Sequence, residues 1–582
     1  MSPLEDFPVE LLLQIIGYLP LQVLHRLART ARFFKRIINE NEALVYRQSA
    51  TLHGYVNNVA SIDPPDANSK NYTYPFTNAT SWKQYCQLCL ELDRNWAGQG
   101  TAIPRIYSSG RPDVHRIKLD EERGLLLTSH VEGRIVVTCL ESGAVLWALP
   151  RNYVRTHAHL EYENGFLIFD RFDSGKEVWR LSTDFDSSQT PVHAPPDSRQ
   201  RIASSLAEAH YPATRAHFKP WCLINTVQPT FAYRFSYPTL VVMSMDTAYL
   251  WDITSATLVQ TIHDVMEPLP NHDHDHEDGM DVSYVDVSAR HLFICGTQEL
   301  RVFNRSDGSL ALCICSQPTF AIARVLLAHD RRDAPDVVVP IRAQVLAAAG
   351  PTNLPLPSFI AAHVSRCGRH LVALLADNRL LLIEDFERVA RGDVSLADAA
   401  LELNITLSDE NMMSFGVYLA YEFGRVSVIT TSGVYVFILD ATAHMLTDPD
   451  VAPSRNSLSL GLIRASYAAP SVPAFPPTTS FPHLAGAYIP RLRNRHVLGL
   501  LSCLQMSATR LYLTWDHRRA DILERLPESH PPQGPLVGGR MEASDGWKFD
   551  IETDNMDIYD ELLDDEDALP PEPVMVLHAG EV

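Results

Sequence analysis

The side chains best suited to chemistry sit in a few short clusters. Asn271-His272-Asp273-His274-Asp275-His276-Glu277-Asp278 alternates imidazoles with carboxylates. Those donors could hold zinc or another divalent ion, and the imidazoles could respond to pH. Adjacent ligands on one loop are poorly preorganised, so the segment reads first as a solvated loop. Cys86 and Cys89 have the spacing of half a zinc site. No second such pair follows at a suitable distance, and the two sit in a helical pattern, so they read as packing cysteines on a helix. Cys313 and Cys315 alternate and would share one face of a strand. Arg116, Arg134, Arg301, Arg369 and Arg425 lie near predicted strands or turns. Convergence of such guanidinium groups on one face would be needed to grip a phosphorylated motif. The chain shows no glycine-rich phosphate loop, no Gly-x-Ser-x-Gly elbow and no His-Glu-x-x-His pair. This residue set favours binding over catalysis.

The elements that must carry these residues fall into two kinds. Over roughly residues 4–48 the apolar positions keep helical spacing. Leu11, Leu12, Ile15, Ile16 and Leu19 form one stripe, Leu21, Leu24, Leu27 and Ala28 a second, and Phe33, Phe34, Ile37 and Ile38 a third. Pro8 suits a helix start and Pro20 divides the first helix from the second. Helices this short bury too little surface to stand alone, so they must pack on the rest of the chain or on a partner. After a polar stretch at 54–80, residues 81–96 return to helical spacing, with Trp82, Tyr85, Leu88 and Leu92 on one side.

From about residue 101 short apolar or alternating runs replace the helical pattern, separated by turns such as Glu132-Gly133 and Ser432-Gly433. Units of three such runs recur at 125–149, 239–262 and 291–314, with weaker copies at 370–387 and 424–440. A repeated sheet unit that needs neighbours on both faces indicates a β-propeller. Trp251-Asp252 and Trp515-Asp516 end predicted strands in the manner of WD repeats. Stretches of low hydrophobicity at 183–200, 263–281, 331–358 and 441–456 read as insertions, 468–483 is proline-rich, and 542–567 is an acidic tail expected to be disordered.

The chain has 582 residues, 46% of them apolar, and 70 Asp and Glu against 49 Lys and Arg. Two or three globular domains are expected. The formal charge of -21 disfavours nucleic acid and anionic membrane as general partners and favours basic proteins. The N-terminus lacks the basic and apolar regions of a secretory signal, and no apolar run is long enough to span a membrane. Nine cysteines fit reduced thiols, hence cytoplasm or nucleus.

The N-terminal stripes resemble the F-box family. Phe7-Pro8-Val9-Glu10-Leu11-Leu12, Ile15-Ile16, Tyr18-Leu19-Pro20-Leu21, Leu24 and Leu27 follow that family's landmarks in order. Ala28 to Phe34 resembles its third segment, and Asn41-Glu42-Ala43-Leu44 its exit. Phe7 stands where Leu is usual, and Val45 where many members carry Trp. The resemblance implies docking on a Skp-family adaptor through Phe7, Pro8, Glu10, Leu11, Leu12, Ile15, Ile16, Leu19, Pro20, Leu24, Leu27 and Phe33. Through the adaptor come a cullin and a RING subunit, and an unidentified target protein would sit on the distal domain. Together with a linker helix and a propeller, this resembles fungal receptors of SCF-type ubiquitin ligases.

The expected architecture is therefore α plus all-β: an F-box at 1–50, a loop and linker helix at 51–100, a degenerate WD-repeat-like propeller of about seven blades at 101–520, and a C-terminal segment at 521–582. The expected role is a non-catalytic substrate receptor with no cofactor. A scaffold outside any ligase, and a metal-dependent hydrolase built on 271–278, are the alternatives.

Overall fold

A computed structural model describes residues 7–53, 55–56, 79–99, 103–108 and 114–266 with breaks at 174, 212–214, 227, 231 and 245. It goes on to 282–317, 322–327, 339–345, 357–405 and 415–438 with short breaks, parts of 486–514, and 573–578. The His/Asp run at 271–278, Trp515-Asp516 and the acidic stretch at 542–567 lie outside the described residues.

Four short helices open the chain: α1 (Val9–Ile16), α2 (Leu21–Thr30), α3 (Arg32–Glu40) and α4 (Glu42–Leu52). Pro8 and Pro20 are the residues immediately before α1 and α2. Their fixed φ sets each helix entry, and their missing N–H costs nothing there. A longer helix, α5 (Trp82–Arg94), starts at Ser81, whose hydroxyl accepts from the Gln84 N–H. It runs into a turn at Asn95–Gln99, where Gly98 takes φ +82° and redirects the chain toward the strands.

Nearly all the remaining regular structure is antiparallel sheet. Four sheets each contain four consecutive strands. They begin with Val114–Asp120, Leu160–Glu163, Ala232–Ser236 and Tyr284–Val287. A further four-stranded sheet closes the ring: Ile103–Ser108 pairs with Pro573–His578, which pairs with Arg510–Thr514, which pairs with Leu504–Met506. The remaining sheet has ten strands. It holds two consecutive meanders, starting at Phe359–Val364 and Gly416–Glu422, joined through Ile322–Leu327 and Val339–Val345.

The described strands thus make six hydrogen-bonded sheets where about seven blades were expected. The difference comes from that fusion: the Ile322–Leu327 and Val339–Val345 hairpin bonds to the outer strand of both meanders. First strands of successive meanders lie side by side in the order Val114–Asp120, Leu160–Glu163, Ala232–Ser236, Tyr284–Val287, Phe359–Val364, Gly416–Glu422 and Leu504–Met506, and the last meets the first. The all-β part is a closed β-propeller.

Two features depart from the sequence-based expectations. The strand Pro573–His578 belongs to the closing sheet, although the sequence placed it in a C-terminal segment outside the propeller. The stretch 183–200, read as a plain insertion, leads into a helix, Ser198–His210, capped by reciprocal bonds between Asp197 and Gln200. Ala203 and Ala207 bury its inner side against the second sheet. Small residues let it lie close to the strands while leaving a weak apolar signal.

Candidate functional site

The candidate interaction residues of the N-terminal helices divide by exposure. Leu12, Ile16 and Leu24 are buried at 2% or less, and Pro20 is also buried. Leu19, Leu27 and Phe33 are half-buried and pack on the same core. Phe7, Pro8, Glu10, Leu11 and Ile15 are exposed. Phe7, Leu11, Ile15 and Tyr18 retain 43%, 45%, 52% and 56% of their accessibility. Leu11 and Ile15, four residues apart, share one side of α1 as helix geometry requires, with Phe7 just before the helix and Tyr18 just after it. So α1 is apolar on two sides, one holding the module together and the other facing water.

The buried side is locked to the propeller. One continuous apolar core runs from Leu12, Ile16 and Ile37 through Trp82, Tyr85, Leu92 and Trp96 to Ile429, Val436 and Leu513. Val45 is completely buried in it. The seam also has a polar centre. Arg425 donates to Asp93 at 2.6 Å, and the two side chains are 1% and 6% exposed. Tyr55 donates to the other Asp93 oxygen at 2.8 Å, and Tyr85 donates to the Tyr55 carbonyl at 2.9 Å. The Trp96 indole and the Arg425 guanidinium both donate to the Ala508 carbonyl, at 3.1 and 3.0 Å. The Arg425 guanidinium lies 5.5 Å from the Trp96 ring centre. His53 stacks on Tyr55 and accepts from the Leu21 N–H at 3.2 Å. Burial drives the His53 pKa down to about 4, against the opposing pull of Asp93.

A second polar system lies where the first strands of the meanders meet. His159 bonds Glu161 at 2.8 Å, and Lys118 donates to the same carboxylate at 2.8 Å. Arg234 lies 3.4 Å from both Glu161 and Asp286. His363 bridges Asp286 at 3.2 Å and the Leu419 carbonyl at 3.1 Å. Arg116 reaches Tyr418 at 3.3 Å, His159 at 3.5 Å and the Ser502 carbonyl, closing the circuit. Burial would raise Glu161, but Lys118, Arg234 and His159 outweigh it and hold the carboxyl well below its ordinary value. Asp286 is likewise held down, by His363 and Arg234 against burial. Opposite charges alternate along this belt, so its chemistry is to bind neighbouring meanders to one another.

The other sequence candidates scatter. Cys86 and Cys89 are buried on α5, Cys86 donating to the Tyr46 carbonyl at 3.3 Å. Cys313 and Cys315 lie half-buried on the last strand of the fourth sheet. Among the described residues no group of three or more His, Cys, Asp or Glu is arranged to hold a metal. Asp252 supports a turn, accepting from the Thr254 N–H at 2.8 Å and the Ser255 N–H at 3.1 Å. The five arginines do not share a face. Arg116 is in the belt, Arg425 in the seam, and Arg301 is buried against Glu299. Arg134 bonds Leu149 and Tyr211, and Arg369 is exposed.

The F-box-like family matches residues 4–50, the span of the four short helices. The chain begins with an F-box-like domain. Its match ends within α4, so α5 and the seam lie outside the matched span. No curated protein matches the chain. Solved structures similar to it include U3-55K, at 10% identity and TM-score 0.38, covering 82% of this chain and 98% of that one. The RRP9 WD40 repeats give 10% identity and TM-score 0.38, covering 82% and 99%. The β-propeller domain of Myceliophteria thermophila Cps50 (Swd1) gives 11% and 0.34, covering 56% and 84%. An F-box-like domain joined to a β-propeller suits a substrate-adaptor or interaction role.

Proposed function

We propose that this chain is the substrate-recognition subunit of an SCF-type cullin–RING ubiquitin ligase. In this reading Phe7, Leu11 and Ile15, with Pro8, Glu10 and Tyr18 beside them, dock on a Skp-family adaptor. Leu12, Ile16, Pro20 and Leu24 shape that face from within, and Leu19, Leu27 and Phe33 flank it. The propeller holds a target protein, and the adaptor brings cullin and RING subunits. Ubiquitin transfer then depends on effective concentration at target lysines and needs no reacting group from this chain.

The observation that carries this proposal is the exposed apolar row of Leu11 and Ile15 on α1, with exposed Phe7 and Tyr18 flanking the helix, on a domain whose other side is fused to the propeller core. An apolar row of this kind is what a helix offers to a partner's groove. Its fixed attachment suits a device that must hold a target at a set distance from the ligase.

The test is co-purification of the full chain with a Skp-family adaptor and cullin, using wild type and Leu11→Asp/Ile15→Asp. Adaptor and cullin should accompany the wild type and be lost from the variant, with folding intact. Adaptor without cullin would support a scaffold outside the ligase. Retention of adaptor by the variant would defeat the docking face.

A further inference from the structure

A groove of about 890 Å³ lies where the third and fourth sheets meet the helix Phe386–Ala390. Arg290, Arg305 and Arg391 line it from three separate elements, facing one lining carboxylate, Glu387. Arg290 is ion-paired with Glu387 at 2.7 Å, and Arg391 lies 3.8 Å from it and 3.0 Å from Asp393 just outside the groove. Both guanidinium side chains remain well exposed, at 61% and 58%. Among the described residues Arg305 is held by uncharged groups, the Ser288 carbonyl at 2.6 Å and the Thr239 hydroxyl at 3.1 Å. The excess of positive charge therefore survives the internal pairing, on a chain whose formal charge is -21.

The groove also has an apolar border. Val259 is 55% exposed and Leu310 39%. They sit on Thr257–Ile262 and Leu310–Cys315, each the last strand of its four-stranded sheet. Edge strands accept extended peptides, alternate residues of which would face the same way.

We infer that this groove binds an extended acidic segment of a partner protein, with Asp or Glu side chains on Arg290, Arg305 and Arg391 and alternate apolar side chains on Val259 and Leu310. The inference rests on the reading of the propeller as the target-holding part, and it narrows the targets to proteins that present such a segment. Charge complementarity selects the acidic occupant, because a basic one would meet three guanidinium groups.

The test uses the full chain and a fluorescein-labelled peptide of twelve residues alternating Glu and Val, read by anisotropy beside a Lys and Val counterpart. The acidic probe should bind and the basic one should not, with affinity falling as salt rises. Arg290→Gln/Arg391→Gln should weaken the acidic probe tenfold or more without moving the thermal midpoint. Glu387→Gln should tighten it several-fold, which a purely structural role would not produce. Equal binding of both probes, or unchanged affinity in the double variant, overturns the inference. So does binding that appears only after deletion of 542–567, since the chain's own acidic run would then be the occupant. Adaptor co-purification on the same samples separates the two claims. The groove variants should keep the adaptor, and Leu11→Asp/Ile15→Asp should lose it while still binding the acidic probe.

Discussion

Asp93 and Arg425 stand 2.6 Å apart across 332 residues of sequence, and both are almost wholly removed from water. One belongs to the helix that follows the F-box-like domain, the other to a strand of the propeller. Their pairing makes the two parts one mechanical body, because neither charge can leave its burial without the other.

Removing one partner should therefore be costly. Asp93→Leu or Arg425→Met is expected to lower stability by about 3–5 kcal/mol, since each leaves an uncompensated buried charge behind. Asp93→Leu with Arg425→Met should recover part of that loss, limited by the Tyr55 hydroxyl losing its acceptor on Asp93. Urea denaturation of the four proteins measures the coupling.

The two sides of α1 should respond in opposite ways. Leu12→Ala empties a buried site and is expected to cost about 2–5 kcal/mol. Leu11→Asp alters an exposed position and should leave the unfolding midpoint within about 0.5 kcal/mol of wild type. Adaptor affinity should fall at least tenfold in Leu11→Asp. Denaturation and adaptor titration on the same samples check the pair.

Acid should loosen the N-terminal domain through His53. The folded pKa of His53 is depressed from 6.5 to about 4. Its contribution is full above pH 6.5 and is lost as pH falls toward 4, on the order of 3 kcal/mol. Burial lowers the His159 pKa as well, and the same sign applies. Glu402 works the other way, because burial raises its pKa to about 6 despite Arg379. Glu161 and Asp286, held below the ordinary carboxylate range, give up their stabilisation only at lower pH. His53→Gln should flatten the fall in urea midpoint between pH 6.5 and 4.5; an unchanged slope would contradict this assignment.

Closure of the propeller should depend on its last strand. Pro573–His578 lies between Arg510–Thr514 and Ile103–Ser108. Deleting 573–582 strips Ile103–Ser108 of its pairing strand in the described sheet. Limited proteolysis should then cut within 101–113 much faster than in the full chain, and the unfolding transition should move to lower temperature.

The sequence revealed the propeller's outer strands but not its inner ones. The units read at 125–149, 239–262 and 291–314 cover the second, third and fourth strands of their sheets. Val114–Asp120, Leu160–Glu163 and Tyr284–Val287 were missed because they carry Arg116, Lys118, Glu161 and Asp286 into the central belt. Charge that is cancelled by a neighbouring meander looks, in one dimension, like a solvent-facing loop. Arg425 misled in the same way: its surroundings in sequence do not show that Asp93 waits for it.

Local order was thus fixed by the sequence itself. Helical spacing over 4–48, the proline helix starts and the succession of F-box landmarks depend on residues three or four apart, where side chains meet along one helix. Strand periodicity and turn residues likewise identified repeated sheets. Tertiary structure decided which side of α1 faces water, how the ten-stranded sheet fuses two meanders, and where charge collects. The net charge pointed to basic partners, yet folding gathers Arg290, Arg305 and Arg391 into one positive groove. Net charge is a sum over the chain, whereas recognition depends on the field where side chains from distant segments converge.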